Sequence, residues 1–171
     1  SSTSRGLGDV YKRQTKYISI TMKPEQLFLR NCQNYHIFPH KLQINDFILF
    51  EMYTSSKHSS VHKCYNKVNQ CFYILKKFNT TSFDERNWVL LRREIDIAMS
   101  LYHPNIIETY AYFFEDDIMY IVQEIGHNTL IDNNTFQYRD ETFCCKNVAL
   151  PLLNALSYLH TNGICHRDIK P

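Results

Sequence analysis

Residues 164–171 spell ICHRDIKP and directly follow Asn162-Gly163, a pair that typically ends a helix in the left-handed conformation. The helix predicted before this stop covers residues 141–160. Pro151 lies inside it and has no amide hydrogen, so it should remove one backbone hydrogen bond and bend the helix, unless the helix begins only a few residues earlier. Helical spacing predicts these inward-facing side chains: Phe143, Ala149, Leu152, Leu153, Leu156 and Leu159. The charged stretch with Asp168 and Lys170 therefore starts just past the last turn of a helix.

The chain before this helix contains short β-rich runs and one helical stretch. The predicted strands cover residues 46–50, 61–65, 72–78, 107–114 and 118–123. Ser82-Phe83-Asp84-Glu85 has the capping-box pattern that starts a helix at Ser82, and His103-Pro104 should end that helix. Apolar residues continue it at helical spacing: Trp88, Leu91, Ile95, Ala98 and Met99. These elements predict an α+β fold in which one helix packs on a five-stranded antiparallel sheet.

Composition excludes several other classes of protein. The 171 residues are 44% hydrophobic and 21% charged, which excludes disorder, collagen and coiled coil. A net charge of +2 argues against a nucleic-acid partner. The sequence shows no membrane-length apolar run and no signal-peptide pattern, so we expect no membrane partner, a cytoplasmic or nuclear location and reduced cysteines. The cysteine and histidine spacings match no zinc site, and we expect no metal held within the chain.

The stretch HRDIKP at residues 166–171 resembles the catalytic-loop motif of eukaryotic serine/threonine protein kinases. The resemblance implies a reaction that transfers the γ-phosphate of ATP to a hydroxyl group of a protein substrate. It implies that Asp168 accepts the hydroxyl proton and that Lys170 steadies the transferred phosphate. Tyrosine kinases usually lack a lysine at the position of Lys170, so the expected acceptor is serine or threonine.

Further kinase motifs occur upstream in the order that the family shows. Residues 73–77, YILKK, resemble the strand that carries the ATP-binding lysine, with Lys76 in its place. Residues 90–95, LLRREI, resemble the helix whose glutamate pairs with that lysine, and Glu94 is the match. Two alternatives stay open: Lys77 is the functional lysine, or Glu94 is a solvated helix charge beside Arg92 and Arg93. The resemblance also places the hinge at residues 123–126, where Gln123 is the gatekeeper and the backbones of Glu124 and Gly126 bind adenine.

The glycine-rich phosphate loop is the main departure from the family. Its glycine positions fall on Thr54, Ser56 and Ser59, and its valine falls on Val61. Non-glycine residues restrict how closely the backbone can approach a phosphate. Ile74 replaces the alanine that usually contacts adenine, and its larger side chain crowds the base. Both changes predict weakened ATP binding.

The chain is predicted to divide into four segments. Residues 4–14, SRGLGDVYKRQ, resemble a translated sequencing adapter, so residues 1–14 are interpreted as an artefact, with a flexible basic arm as the alternative. Residues 15–45 are predicted to be an extension or linker, 46–123 the kinase N-lobe, and 124–171 the hinge and the first helices of an incomplete helical C-lobe. The family's Mg²⁺ ligands would fall beyond Pro171, starting with an asparagine at position 173, so this fragment is expected to be inactive.

The sequence leaves two other functions open and suggests a subgroup. A pseudokinase scaffold with weak or no nucleotide binding would explain the altered phosphate loop. A small-molecule kinase would share the fold, but Lys170 in its HRDIKP context argues against it. Residues 90–112 and 154–160 look most like Aurora-type kinases.

Overall fold

The computed structural model describes residues 32–33, 36–126 and 140–170. Within these ranges the chain forms two compact units. The sheet unit contains the residues up to Tyr102 together with Ile107–Gly126, and the helical unit contains His103–Ile106 and the residues from 140 onward. The adapter-like residues 4–14 lie outside the described residues.

The sheet unit is built on antiparallel strands in the order β1-β5-β6-β4-β3-β2. The strands are β1 (Cys32–Gln33), β2 (Phe47–Ser55), β3 (Ser59–Asn66), β4 (Cys71–Asn79), β5 (Thr109–Glu115) and β6 (Ile118–Gln123). The five predicted strands are therefore confirmed, and most of them are longer than predicted. The sixth, β1, was missed because two residues are too few to show an alternating pattern.

Helix α1 (Glu85–Ser100) packs on one face of the sheet. Its buried residues Trp88, Leu91 and Ile95 contact a cluster of strand side chains on that face. The capping prediction was wrong by two residues: Asp84 is the N-cap, and its carboxylate accepts a hydrogen bond from the Asn87 amide at 2.7 Å. A carboxylate at that position also interacts favourably with the positive end of the helix dipole, which a serine hydroxyl does not.

The opposite face of the sheet is covered by residues 36–46, most of which belong to the predicted extension. Phe38 and Leu42 are only 2% and 4% exposed, because they pack on the apolar side chains of this face. Two hydrogen bonds fasten the segment: the Ile44 amide donates to Glu115 Oε2 at 2.7 Å, and Asn69 Nδ2 donates to the Ile37 carbonyl at 3.2 Å. We name residues 36–46 the outer segment.

The helical unit contains the long helix predicted over residues 141–160, but in three parts. Helix α2 (Glu141–Cys144) leads into a π-helical turn (Cys145–Ala149) and then into helix α3 (Leu150–Thr161). The Leu150 amide donates to the Cys145 carbonyl, five residues back, immediately before Pro151, which has no amide to donate. The wider turn thus accommodates the proline with a continuous helical path.

Helix α3 ends at the predicted stop. Gly163 has φ of 72°, the Gly163 amide donates to the His160 carbonyl, and the Ile164 amide donates to the Leu159 carbonyl. The predicted inward face was partly wrong, because Ala149, Leu152 and Leu153 are exposed, whereas Ala155 and Leu159 are the buried residues. Leu152 and Leu153 lie in the same regular helix as the buried Ala155 and Leu159. Helical spacing shows which residues share a side of a helix, but it does not show which parts of that side are covered.

Candidate active site

Lys76 lies on the face of the sheet that carries α1. Side chains alternate along β4, so Ile74, Lys76 and Phe78 share this face while Tyr73 and Leu75 join the core under the outer segment. The neighbouring Lys77 points the other way, with Nζ 5.9 Å from the centre of the Tyr120 ring. The structure therefore separates the two candidate lysines by face.

Glu94 on α1 forms an ion pair with Lys76: Nζ of the lysine donates a hydrogen bond to Oε1 of the glutamate. The packed residues Leu91 and Ile95 fix the rotation of α1 and so direct the adjacent Glu94 toward β4. The side chains of Lys76 and Glu94 remain 28% and 45% exposed, so a ligand in solvent can reach them. The pair supplies a fixed cation next to a carboxylate, which suits binding of a polyphosphate.

The charged side chains near Glu94 include Arg92, which pairs with Asp96 on the same helix and not with Glu94. Arg92 Nε donates to the Asp96 carboxylate at 2.8 Å, and this hydrogen bond is the main cause that raises the pKa of the Arg92 guanidinium. Lys76 Nζ also lies 5.0 Å from the centre of the Phe78 ring, a cation–π contact on the same face. Glu94 is therefore not merely a solvated helix charge, since it has a specific partner across the helix–sheet interface.

The β2–β3 hairpin contains the residues predicted to form the phosphate loop. The Ser56 amide donates to the Ser59 carbonyl at 2.7 Å, and the Ser59 amide donates to Ser56 Oγ at 3.2 Å. The two hydroxyl groups are also 2.8 Å apart. Two amides at glycine positions of the family motif are thus engaged within the hairpin tip. We name these hydrogen bonds between Ser56 and Ser59 the serine clasp.

The flanks of the hairpin are held in the sheet. Thr54 lies opposite Val61, and Val61 lies opposite Lys76. The Asn79 amide donates to the His58 carbonyl at 2.8 Å, which continues the β3–β4 pairing to the tip. Val61 and Lys76 are therefore close neighbours on one face, whereas the backbone at Ser56 and Ser59 is committed to the turn.

The three predicted hinge residues lie at the end of β6 and directly after it. Gln123 lies opposite Ile74 on β4 and opposite Thr109 on β5, so the three share the Lys76 face. The Glu124 amide donates to the Glu108 carbonyl at 2.9 Å, which leaves the carbonyl as the backbone group that Glu124 can offer a ligand. Gly126 is exposed, and a Cβ built on it would lie 3.9 Å from Ile107 Cδ1, an ordinary contact.

Asp168 and Lys170 lie in the helical unit, just after the stop of α3. Lys170 Nζ is 3.1 Å from Asp168 Oδ2, and both side chains are 73% exposed. The Asp168 amide donates to His166 Nδ1 at 3.3 Å, and Arg167 between them has φ of 64°, which is uncommon for a residue with a Cβ. The segment thus forms a tight turn that presents a carboxylate and an ammonium group to solvent.

Sequence reasoning missed one residue of the Lys76 face, Thr109. Its hydroxyl oxygen accepts a hydrogen bond from Gln123 Nε2 at 3.0 Å. An extra residue in β5 between Thr109 and Ala111 creates this alignment, and a bulge of this kind leaves no mark in the sequence pattern.

The described residues contain neither a cluster of metal-ligating side chains nor a helix of membrane-spanning character. No group of three His, Cys, Asp or Glu side chains within residues 36–126 and 140–170 is placed to hold a metal ion. No helix in these ranges is both long and apolar enough to cross a bilayer.

Comparison with curated proteins finds protein kinases. The chain is 37% identical over 101 residues to serine/threonine-protein kinase cds1 of Schizosaccharomyces pombe, an alignment that covers 56% of this chain and 21% of that protein. It is 32% identical over 133 residues to Aurora/IPL1-related protein kinase 2 of Caenorhabditis briggsae, covering 77% and 44%. It is 28% identical over 148 residues to an Aurora kinase of Candida glabrata, covering 83% and 40%. The chain thus spans less than half the length of each of these relatives.

A family profile described as "Protein kinase domain" matches residues 51–171. This match covers well over half of the chain, and it includes β4, α1 and the ICHRDIKP stretch. The serine/threonine kinases and Aurora kinases among the relatives agree with the resemblance seen in the motifs. With its antiparallel sheet, its packed helix and its lysine–glutamate pair, the chain belongs to the protein kinase domain family.

Proposed function

We propose that this protein is a serine/threonine protein kinase that transfers the γ-phosphate of ATP to protein hydroxyl groups. The observation that carries the proposal is the ion pair between Lys76 and Glu94 on the sheet face of a protein kinase domain. ATP brings about four negative charges, and a lysine oriented in advance by a carboxylate binds them better than a freely rotating lysine. Lys76 then contacts the α- and β-phosphates, and Glu94 keeps its ammonium group in position.

Asp168 is proposed as the group that receives the proton of the substrate hydroxyl. As the hydroxyl oxygen bonds to the γ-phosphorus, the bond between phosphorus and the bridging oxygen breaks and ADP leaves with that electron pair. The exposure of Asp168 supports this role because a protein substrate must reach the carboxylate. Lys170 is proposed to balance negative charge on the moving phosphate, and its distance of 3.1 Å from Asp168 supports this role.

Serine or threonine is proposed as the acceptor. Lys170 in the HRDIKP context and the serine/threonine-protein kinase among the relatives both support this choice. Protein kinases use Mg²⁺ with ATP. The described residues provide no metal site, so no step is assigned to the metal on this chain.

The test is a phosphotransfer assay with the full-length protein and radiolabelled ATP. Peptides with serine, threonine or tyrosine acceptors are compared with a panel of small-molecule alcohols. We expect label in serine or threonine peptides, and Asp168→Asn should abolish most turnover while sparing ATP binding. Asp117→Asn, in an exposed turn of the sheet unit, is the matched control. Turnover that survives in Asp168→Asn would overturn the assignment of Asp168, and labelling of small alcohols alone would favour a small-molecule kinase.

A second candidate function is a scaffold that keeps the kinase fold but binds nucleotide poorly. The serine clasp favours it, because the Ser56 and Ser59 amides already have partners and cannot also donate to phosphate without breaking those bonds. Equilibrium titration of the full-length protein with a fluorescent ATP analogue separates the two. Saturable binding that Lys76→Met weakens supports the enzyme, and no saturable binding supports the scaffold.

A further inference from the structure

A β-bulge next to the hinge changes which face of the sheet Thr109 occupies. Ala111 lies opposite Val122, and both belong to the core under the outer segment. Strict alternation from Ala111 would put Thr109 on that same face. The extra residue, Tyr110, shifts the register, so that Thr109 instead lies opposite Gln123 on the Lys76 face.

The consequence of this shift is a hydrogen bond between two side chains. Gln123 Nε2 donates to Thr109 Oγ1 at 3.0 Å, and Thr109 itself is buried. The carboxamide of Gln123 is thereby drawn along the row of strands toward β5. This direction leads away from Ile74, its other cross-strand neighbour.

A nucleotide held at Lys76 must extend along this face in one of two directions on β4. Toward Phe78 the face is closed, because Phe78 is buried in the cluster that contains Trp88 and Leu91. In the other direction Ile74 is half-buried, two residues or about 7 Å along the strand. The base of a nucleotide with its phosphates at Lys76 would therefore lie over Ile74 and beside Gln123.

We propose that Thr109 is a positioning residue that holds the Gln123 carboxamide aside and thereby keeps room for the base over Ile74. The proposal rests on the proposed function, since it requires that a nucleotide occupies the Lys76 face. Thr109 does not touch the nucleotide. It acts through Gln123, and its influence should be largest for a base that carries an added group on its amino nitrogen.

The experiment measures the affinities of the full-length protein for ATP and for N6-benzyl-ATP by competition with a fluorescent nucleotide. Thr109→Val keeps the shape of the side chain and removes the hydroxyl. The freed carboxamide can then turn toward Ile74, so the affinity for N6-benzyl-ATP should fall about fivefold more than the affinity for ATP. Thr109→Ser restores the hydroxyl and should restore the wild-type ratio of the two affinities.

The same substitution in a Gln123→Ala background separates positioning from general structure. If Thr109 acts through Gln123, Thr109→Val changes the ratio only when Gln123 is present. An unchanged ratio in Thr109→Val, or an equal change in both backgrounds, overturns the proposal while leaving nucleotide binding intact. Failure of the full-length wild-type protein to bind either nucleotide overturns the proposed function together with this inference.

Discussion

Lys76 on β4 forms an ion pair with Glu94 on α1, while the next residue, Lys77, lies over the Tyr120 ring on the opposite face of the sheet. Two adjacent lysines of equal charge therefore have different environments. Only Lys76 shares a face with Ile74, Gln123 and Thr109. The difference provides a matched pair of variants in which the same substitution is made on each face.

Lys76→Met should lower phosphotransfer by the full-length protein about 10²–10³-fold, because one oriented cation at the phosphates is lost. Lys77→Met should leave turnover within about twofold, since surface changes away from a site usually have small effects. Glu94→Gln should reduce turnover with little change in melting temperature, because a partly exposed ion pair contributes less than about 1 kcal/mol. Turnover is followed with a peptide substrate, and stability by thermal unfolding. Equal losses for the two lysine variants would contradict the assignment of Lys76.

Replacement of Thr54, Ser56 and Ser59 by glycine should tighten ATP binding about fivefold. The substitutions remove the hydroxyl groups of the serine clasp, free the Ser59 amide and let the backbone approach phosphate more closely. The measurement is a titration with a fluorescent ATP analogue. Ser55→Gly, next to the clasp and outside the family's glycine positions, serves as the control for added flexibility. Unchanged affinity in the triple variant would mean that the hairpin tip does not contact phosphate.

Asp84→Ala should lower the free energy of unfolding by about 1 kcal/mol, the usual cost of losing an N-cap side chain. Ser82→Ala is the control and should cost less than about 0.5 kcal/mol, because Ser82 does not cap the helix. Both values come from urea denaturation followed by circular dichroism. A larger effect at Ser82 would restore the capping box predicted from the sequence.

Alkaline pH should destabilise the sheet unit. Burial raises the pKa of the Cys64 thiol from 9.0 to about 12 and that of the Tyr73 hydroxyl from 10.0 to about 12. The unfolded chain loses these protons at lower pH than the folded chain, so the contribution is fully present below pH 9 and declines as the pH rises toward 12. Each group adds up to about 1.4 kcal/mol per pH unit to the slope with which the free energy of unfolding declines.

The pH dependence is measured from urea midpoints between pH 8 and pH 10.5 under reducing conditions. Cys64→Ser should flatten the decline, because serine does not ionise and can still donate to the Tyr73 carbonyl that Cys64 Sγ contacts at 3.4 Å. Cys71→Ser, which removes an exposed thiol, should keep the wild-type slope. Identical slopes for the wild type and both variants would contradict the burial of Cys64.

Sequence patterns located the strands and helices because alternation and helical spacing report which side chains are buried. They also paired Lys76 with Glu94 in advance, since a motif fixes which strand and helix carry the two charges. The sequence pattern did not identify the N-cap of α1. Ser82 and Asp84 both carry suitable oxygen acceptors, and only the path of the chain from β4 to α1 selects Asp84.

Three further features could not be predicted, because they depend on contacts between distant parts of the chain and leave little pattern in the local sequence. The bulge at Tyr110 reorients Thr109 through strand pairing, and the π-helical turn widens the helix immediately before Pro151. The outer segment shows no periodicity, although Phe38 and Leu42 are among the most buried side chains of the described residues. Its ordered packing comes from contact with the strands that follow it in the sequence, β2 to β6.

The outer segment lies entirely before residue 51, where the match to the kinase family begins. A recombinant protein trimmed to that match would lose Phe38, Leu42 and Phe47 together and leave Tyr73 and Phe113 facing water. An uncovered apolar patch of this kind promotes aggregation. Expression plasmids for this domain should therefore start upstream of residue 36, because inclusion bodies from a shorter design would reflect the choice of boundary and not an unstable kinase.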